Sequence, residues 1–266
     1  MALPRAPRVV ITGAGSGFGR ALALELSRRQ ADLLLADIDV AGADETARLS
    51  TDAGAGRVRT ARCDVTKLED VQALAAMMDG GVDLVVNNAG VSSGGAVGES
   101  PIEDWRWTIE VDLFGVIYGC HVFVPILRKQ GSGHILNVAS AAGLLAAPKM
   151  GAYNVAKAGV VSLSETLSAE LGGTKVGVTV LCPTFFRTNI ASSGRFSDAK
   201  TKKSAERLVN NGKEAADIAR AALRSVERGD LYSVPMADGR WFWRLKRLSP
   251  TTFRTLAGAV ARVMKV

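Results

Sequence analysis

Cysteine is scarce in this chain. Three stand among 266 residues, Cys63, Cys120 and Cys182, far apart and never in a CxxC spacing. That disfavours a disulfide framework or a zinc site, leaves no metal expected, and points to a reducing, cytoplasmic compartment. Long apolar runs are missing too. No stretch of about 18 apolar residues occurs, so no spanning helix is expected, and Met1 to Pro7 lacks the apolar core of a signal peptide. Acid is missing from the end of the chain. From Gly239 onward the charged residues are Arg240, Arg244, Lys246, Arg247, Arg254, Arg262 and Lys265, without one Asp or Glu. Taking those seven from the 33 basic residues leaves 26, which equals the number of acidic ones. The body is therefore formally neutral and the tail carries the whole +7 excess, which argues against nucleic-acid binding by the main domain.

What the chain has in quantity is hydrophobic residues, at 47%, and glycine, with 28. The first can build a sizeable core and the second many tight turns. Short apolar runs alternate with helical patterns. Strands are expected at 8–12, 32–36, 57–63, 82–86, 135–139, 175–182 and 231–234, and helices at 20–30, 67–78, 102–128, 152–171 and 214–228. This alternation, without repeats or a linker, predicts an α/β fold with a doubly wound parallel sheet, a Rossmann fold in a single domain. Residues 1–239 form that domain in this reading, and 240–266 a basic, aromatic-containing extension.

The first strand runs into Gly13-Ala-Gly-Ser-Gly-Phe-Gly19, with Thr12 before it, in the spacing TGxxxGxG. Between a strand and a helix, such glycines let the backbone approach a pyrophosphate at the helix N-terminus. An ordinary glycine-rich connection is the alternative. The second strand ends at Asp37, where a carboxylate can accept both adenine-ribose hydroxyls and would repel a 2′-phosphate. Ile38 and Asp39 follow, so no base stands beside it, and NAD is favoured over NADP. Asp37 could instead cap a helix, a task open to Asp39 or Asp44 as well.

Tyr153 and Lys157 are four apart in a helical stretch, which puts phenol and ammonium on one face, a turn apart. Ser140 follows the apolar run 135–139, at the carboxyl end of an expected strand, where open α/β sheets bind ligands. A lysine charge about 4 Å away is worth roughly 4 kcal/mol at an effective dielectric of about 20. That would draw a phenol from about pH 10 toward neutrality, making Tyr153 a general acid or base for an alcohol or carbonyl oxygen that the Ser140 hydroxyl holds. A tyrosine and a lysine merely sharing a helix face are the alternative.

Taken together, Thr12 to Gly19, Asp64-Val65, Asn87-Asn-Ala-Gly90, Ser140, Tyr153, Lys157, Pro183 and Thr188 resemble the short-chain dehydrogenase/reductase family in order and spacing, over residues 8 to about 190. The resemblance implies that Tyr153 passes the proton, Ser140 orients the substrate oxygen, and Lys157 binds the nicotinamide ribose and depresses the tyrosine pKa. It implies a dinucleotide lined by Gly13, Ser16, Gly17, Phe18, Gly19, Asp37, Asp64, Val65, Asn88, Ala89 and Gly90, with Pro183, Phe186 and Thr188 near its nicotinamide end. The hydride would pass between nicotinamide and substrate carbon. Similar proteins pair through their long helices, which implies a homodimer or homotetramer. Two residues depart from the pattern. Asp112 stands where the family usually has an Asn whose main-chain carbonyl holds a water leading protons to the lysine. The carbonyl survives the change, while the added carboxylate could weaken the pull of Lys157 on Tyr153. Thr184 replaces a usual Gly.

Leu144, Leu145, Met150, Phe185 and Phe186 suggest an apolar pocket, favouring a small hydrophobic alcohol or ketone, although simple packing would use the same residues. Residues 185–212 read as a lid over it. In the tail, Trp241, Leu245 and Leu248 recur near helical spacing among basic residues, which suits either peripheral contact with an anionic membrane or packing over the pocket or a neighbouring subunit. The functional expectation is an NAD-dependent oxidoreductase. Its rivals are a catalytically silent NAD sensor and an NADP-dependent carbonyl reductase attached to a membrane.

Overall fold

A computed structural model describes residues 3–78 and 80–263, without the side chains of 260–263. Met1, at the head of the N-terminus read above as lacking a signal, and Lys265 of the basic tail lie outside the described residues, as does the side chain of Arg262. The first half of the chain forms β1 (Arg8–Thr12), α1 (Gly17–Ser27), β2 (Asp32–Asp37), α2 (Val40–Asp52), β3 (Arg57–Arg62), α3 (Leu68–Ala76) and β4 (Leu84–Asn87). There follow a short β5 (Ser93–Gly94), α4 (Ile102–Ile109), a π-helical turn at Glu110–Phe114, α5 (Gly115–Gln130) and β6 (Gly133–Val138). Then come α6 (Ala141–Leu145), α7 (Gly151–Glu170), β7 (Val176–Leu181), a short β8 (Arg195–Phe196) and α8 (Ala199–Asn210). α9 (Ala215–Arg228), β9 (Tyr232–Ser233), α10 (Ala237–Leu248) and α11 (Pro250–Val263) complete it.

Seven strands pair in the order β3-β2-β1-β4-β6-β7-β9, all parallel. Strand order reverses between β1 and β4, so the loops leaving these two strands diverge and open a crevice at the carboxyl edge. Both sheet faces are covered, which is why the strands read as unbroken apolar runs. Val10, Leu34, Val85 and Ile135 point to the face closed by Phe123, Leu127 and Val160 of α5 and α7. Their alternating neighbours Val9, Ile11, Leu33 and Leu136 meet Leu22 and Leu26 of α1 and Leu223 of α9 on the other. The architecture is the single-domain Rossmann fold the pattern predicted.

Several elements differ from the expectation. The helix read over 102–128 is interrupted by the π turn around Asp112. Although no unbroken run of apolar residues occurs, Ile102–Gln130 is long and apolar enough by length and composition alone to cross a membrane. Here it is a helix of the domain, with the charged Asp112 buried in its midst. The expected lid holds β8 and α8. β8 pairs with β5, Ser93 opposite Arg195, and Arg195 is tied to Asp104 at 3.3 Å, so this segment lies down against α4. α10 begins at Ala237 and packs on α6, so the extension read from 240 starts inside a helix continuous with the body.

Candidate active site

The loop after β1 is held by β4. Thr12 Oγ1 donates to the Val86 carbonyl at 3.3 Å and accepts the N–H groups of Asn88 and Ala89 at 3.0 and 3.2 Å. Asn88 Nδ2 donates back to the carbonyls of Thr12 and Gly13 at 2.8 and 2.9 Å. Gly13 sits at φ +66°, and a Cβ there would come within 2.6 Å of the Ala89 Cα, so only glycine lets the two loops touch. A Cβ at Gly19 would strike the Gly13 carbonyl. α1 starts at Gly17, and Ser16 before it is exposed and makes no side-chain cap. The first N–H groups of α1 are thus left to a ligand, flanked by Thr188, which stands 3.5 Å from where a Cβ on Gly17 would lie. This bare, glycine-lined cradle fits a pyrophosphate.

Asp37 faces the same turn. Its carboxylate accepts the Gly15 N–H at 2.7 Å and the Asp39 N–H at 2.9 Å. Capping of α2 falls to Asp39, which accepts the Gly42 N–H, so the alternative role for Asp37 is taken. Further along the edge, Asp64 accepts both the N–H and the hydroxyl of Thr66. Burial works against its charge, yet these bonds hold its pKa below the usual carboxylate range. Val65 is buried and lies where a Cβ on Gly115 would meet it at 2.8 Å. Phe18 and Phe186 pack edge to face, centroids 5.8 Å apart, which leaves Phe18 buried.

On the other side of the crevice side chains do the work. Ser140 caps α6, its Oγ accepting the Ala142 N–H at 3.1 Å. Tyr153 and Lys157 share the inner face of α7, both buried, with Lys157 Nζ 5.6 Å from the centre of the Tyr153 ring. Lys157 donates to the Val138 carbonyl at 3.1 Å, at the end of β6. It also lies 3.3 Å from Asp112 Oδ2 in an ion pair sealed from solvent. Asp112 Oδ1 in turn accepts the Val91 N–H at 2.7 Å. The added carboxylate therefore confronts the lysine directly.

The expected depression of the Tyr153 pKa is not found. Burial raises it above the ordinary tyrosine value; Lys157 and a hydrogen bond with Ser140 pull it down, while Asp112 pushes it up. Burial likewise opposes the Lys157 charge, but Asp112 and Tyr153 outweigh it and hold the ammonium above its ordinary pKa. Burial also pushes the Asp112 carboxyl up, against Lys157 and the Val91 N–H. The pull of one neighbouring lysine is outweighed by the desolvation of the phenol together with the counter-charge of Asp112.

Gly90 touches this cluster, for a Cβ on it would lie 3.3 Å from both Asp112 Oδ1 and Lys157 Nζ. The Pro183 carbonyl accepts the Ala141 N–H at 2.8 Å, next to Ser140. Thr184 turns away, its hydroxyl 3.4 Å from Asp238 at the start of α10. Of the expected substrate residues, Leu145 is half-buried and Phe185 is exposed. Sequence reasoning missed Lys246, whose ammonium donates to the Leu144 carbonyl at 2.6 Å and ties α10 to the segment after Ser140. No local signal separates it from the other tail cations. Asn154, which holds the Ala147 carbonyl at 2.7 Å, was missed as well.

Comparisons with known proteins agree with this geometry. The sequence profile described as short chain dehydrogenase matches residues 7–198. SadH of Mycobacterium tuberculosis, named as an oxidoreductase, is 36% identical over 94% of this chain and 93% of its own length. The D-beta-hydroxybutyrate dehydrogenase of Rhizobium meliloti is 34% identical over 76% of this chain and 80% of its own. Among solved structures, a short chain dehydrogenase/reductase from Burkholderia phymatum in complex with NAD superposes with a TM-score of 0.86 at 38% identity, covering 91% of this chain and 93% of that one. A short-chain dehydrogenase from Sphingobium yanoikuyae in complex with NADPH gives 0.76 at 26% identity, over 97% and 95%. The chain belongs to the short-chain dehydrogenase/reductase family, as an oxidoreductase of the nicotinamide-dependent type.

Proposed function

We propose that this protein transfers a hydride between NAD(H) and a small hydrophobic secondary alcohol or ketone, or an aldehyde, with Tyr153 as general acid and base. The observation that carries the proposal is the convergence of Ser140, Tyr153 and the Lys157–Asp112 pair at the carboxyl end of β6, beside the glycine cradle. When bound, the nicotinamide supplies or accepts the hydride. Tyr153 donates its phenolic proton to the carbonyl oxygen during reduction and takes it back from the alcohol during oxidation. The Ser140 Oγ accepts from Ala142, and its hydroxyl, hydrogen-bonded to Tyr153 in the free site, turns to donate to that same oxygen when substrate is bound. Lys157 stabilises the phenolate and Asp112 tempers it. Asp37 holds the adenine ribose and supports NAD, and the bare N-terminus of α1 holds the pyrophosphate. Leu145 and Phe185 supply apolar walls and residues 185–212 close over them.

The buried, unbridged cysteines support a reducing, cytoplasmic location. Family membership supports a homodimer or homotetramer. A silent NAD sensor would have no use for the serine–tyrosine–lysine set, and an NADP enzyme would leave the Asp37 carboxylate facing a 2′-phosphate. Assay of a panel of hydrophobic alcohols and ketones with both cofactors, followed at the nicotinamide absorbance, tests the reading. Turnover with higher kcat/KM for NAD is expected. Activity confined to NADP, or none across the panel, would overturn it.

A further inference from the structure

The end of α10 looks outward in two ways. One side of the helix is pinned to the body. Trp243 packs at a tilt against Tyr232 with ring centres 4.8 Å apart, and Lys246 holds the Leu144 carbonyl. The other side is bare. Trp241 is 57% exposed, Leu248 86% and Phe242 39%, and Trp241 with Leu245 and Leu248 recurs at helical spacing. Isolated exposed apolar residues are ordinary in a soluble protein, but these share one fixed helix, and Leu256 of α11 is exposed as well.

Beside this strip lies a groove of about 470 Å³ between α9 and α10. Arg224 and Arg228 enter it from α9, one turn apart; Arg240 and Arg244 enter it from α10, again one turn apart; Ser225 and Ser233 add hydroxyls. Asp230 neutralises Arg228 at 2.5 Å, and Arg240 donates to the carbonyls of Val234 and Pro235. Arg224 and Arg244 have no hydrogen-bonded or ionic partner among the described residues. With Arg228 compensated by Asp230, the guanidinium groups of Arg224, Arg240 and Arg244 remain without a carboxylate among the described residues around one open volume, and an anion between them relieves their repulsion. No acid follows Asp238, so nothing in the tail competes for the place.

We propose that α10 and the arginine groove together form a docking surface for an anionic phospholipid bilayer. Headgroup phosphates enter the groove, where guanidinium forks bind them, while Trp241, Phe242 and Leu248 enter the interfacial layer. Tryptophan at headgroup depth, with cations alongside, is the chemistry of a helix lying in the membrane plane. Because Lys246 and Trp243 fix α10 to the body, the enzyme sits on the bilayer in one orientation. This does not depend on which alcohol or ketone is turned over.

The test is co-sedimentation of the full chain with vesicles of phosphatidylcholine containing about a third phosphatidylglycerol, and with pure phosphatidylcholine, at low and high salt. The protein is expected to pellet with the anionic vesicles only, and less so in high salt. Arg224→Ala/Arg244→Ala should lower partitioning by about fivefold per arginine, and Trp241→Ser/Leu248→Ser should lower it further. Both variants lie outside the catalytic machinery and should keep turnover of a soluble substrate, which shows that they fold. Protein left in the supernatant at low salt, or pelleting indifferent to both variants, would overturn the proposal. So would protection against thermal unfolding by inorganic phosphate, lost in the arginine variant, without vesicle binding, since that marks a site for a soluble anion. Sedimentation velocity closes the last route: an oligomer dissociated by Trp241→Ser/Leu248→Ser would assign this face to a second copy of the chain.

Discussion

The two sides of the crevice are built in opposite ways. The side after β1 is backbone: glycines without Cβ, free N–H groups at the start of α1, and carbonyls tied down by Asn88. The side after β6 is side chain: a buried tyrosine, a buried lysine and a buried aspartate, each altering the charge of the next. The first side is built to fit shape and phosphate, which needs close approach and no chemistry. The second, in the proposed reaction, moves a proton, which needs a titratable group and a controlled field around it. Substitutions should therefore fail differently on the two sides, binding being lost on one and turnover on the other.

Tyr153→Phe should have the largest effect. It removes the proposed proton carrier and leaves the cradle alone, so kcat should fall about a hundredfold to ten-thousandfold, with NAD affinity within a few-fold by calorimetry. A comparable loss of both would erase the division between the sides. Asp37→Ala should do the reverse. Loss of two hydrogen bonds from a charged acceptor should weaken NAD about a hundredfold, weaken NADP less, and leave the pH dependence of kcat in place. Equal losses for the two cofactors would remove Asp37 from the cofactor site.

Asp112→Asn should be the mildest and the sharpest. The Val91 N–H keeps an acceptor, while the charge facing Lys157 disappears. Asp112 pushes the Tyr153 pKa up, so its neutralisation lowers that pKa. Alcohol oxidation requires the phenolate and rises with pH, so its rising limb should move to lower pH, with a gain of about a few-fold near neutrality. An unchanged profile would mean that only the main-chain carbonyl of Asp112 matters.

What the sequence disclosed follows the same division. The glycine turn, Asp37, Ser140, Tyr153 and Lys157 were legible because they depend on residue type and short spacing, and the strands because a sheet buried on both faces imposes unbroken apolar runs. The hidden parts were tertiary. Nothing local marks a π turn at Glu110–Phe114, where Asp112 meets a lysine from another helix. α2, with its Ala-Gly-Ala-Asp start, has too weak an apolar rhythm to announce a helix, and α8 has too few apolar residues. Lys246 gains its meaning only when α10 lies on α6.

The strand order also bears on how the chain assembles. Val10 of β1 lies beside Val85 of β4, and Arg8 is bonded to Asp83, so the crevice has no walls until segments far apart in the chain have met. Parallel pairing of this kind closes long loops before any contact rewards it, which makes folding slow and leaves unpaired strand edges open meanwhile. During synthesis β1 and β2 emerge well before β4, β6 and β7. A nascent chain thus carries its glycine turn exposed, without the neighbour that shapes it, and gains both the glycine cradle and the buried Tyr153–Lys157 pair only when the late strands dock.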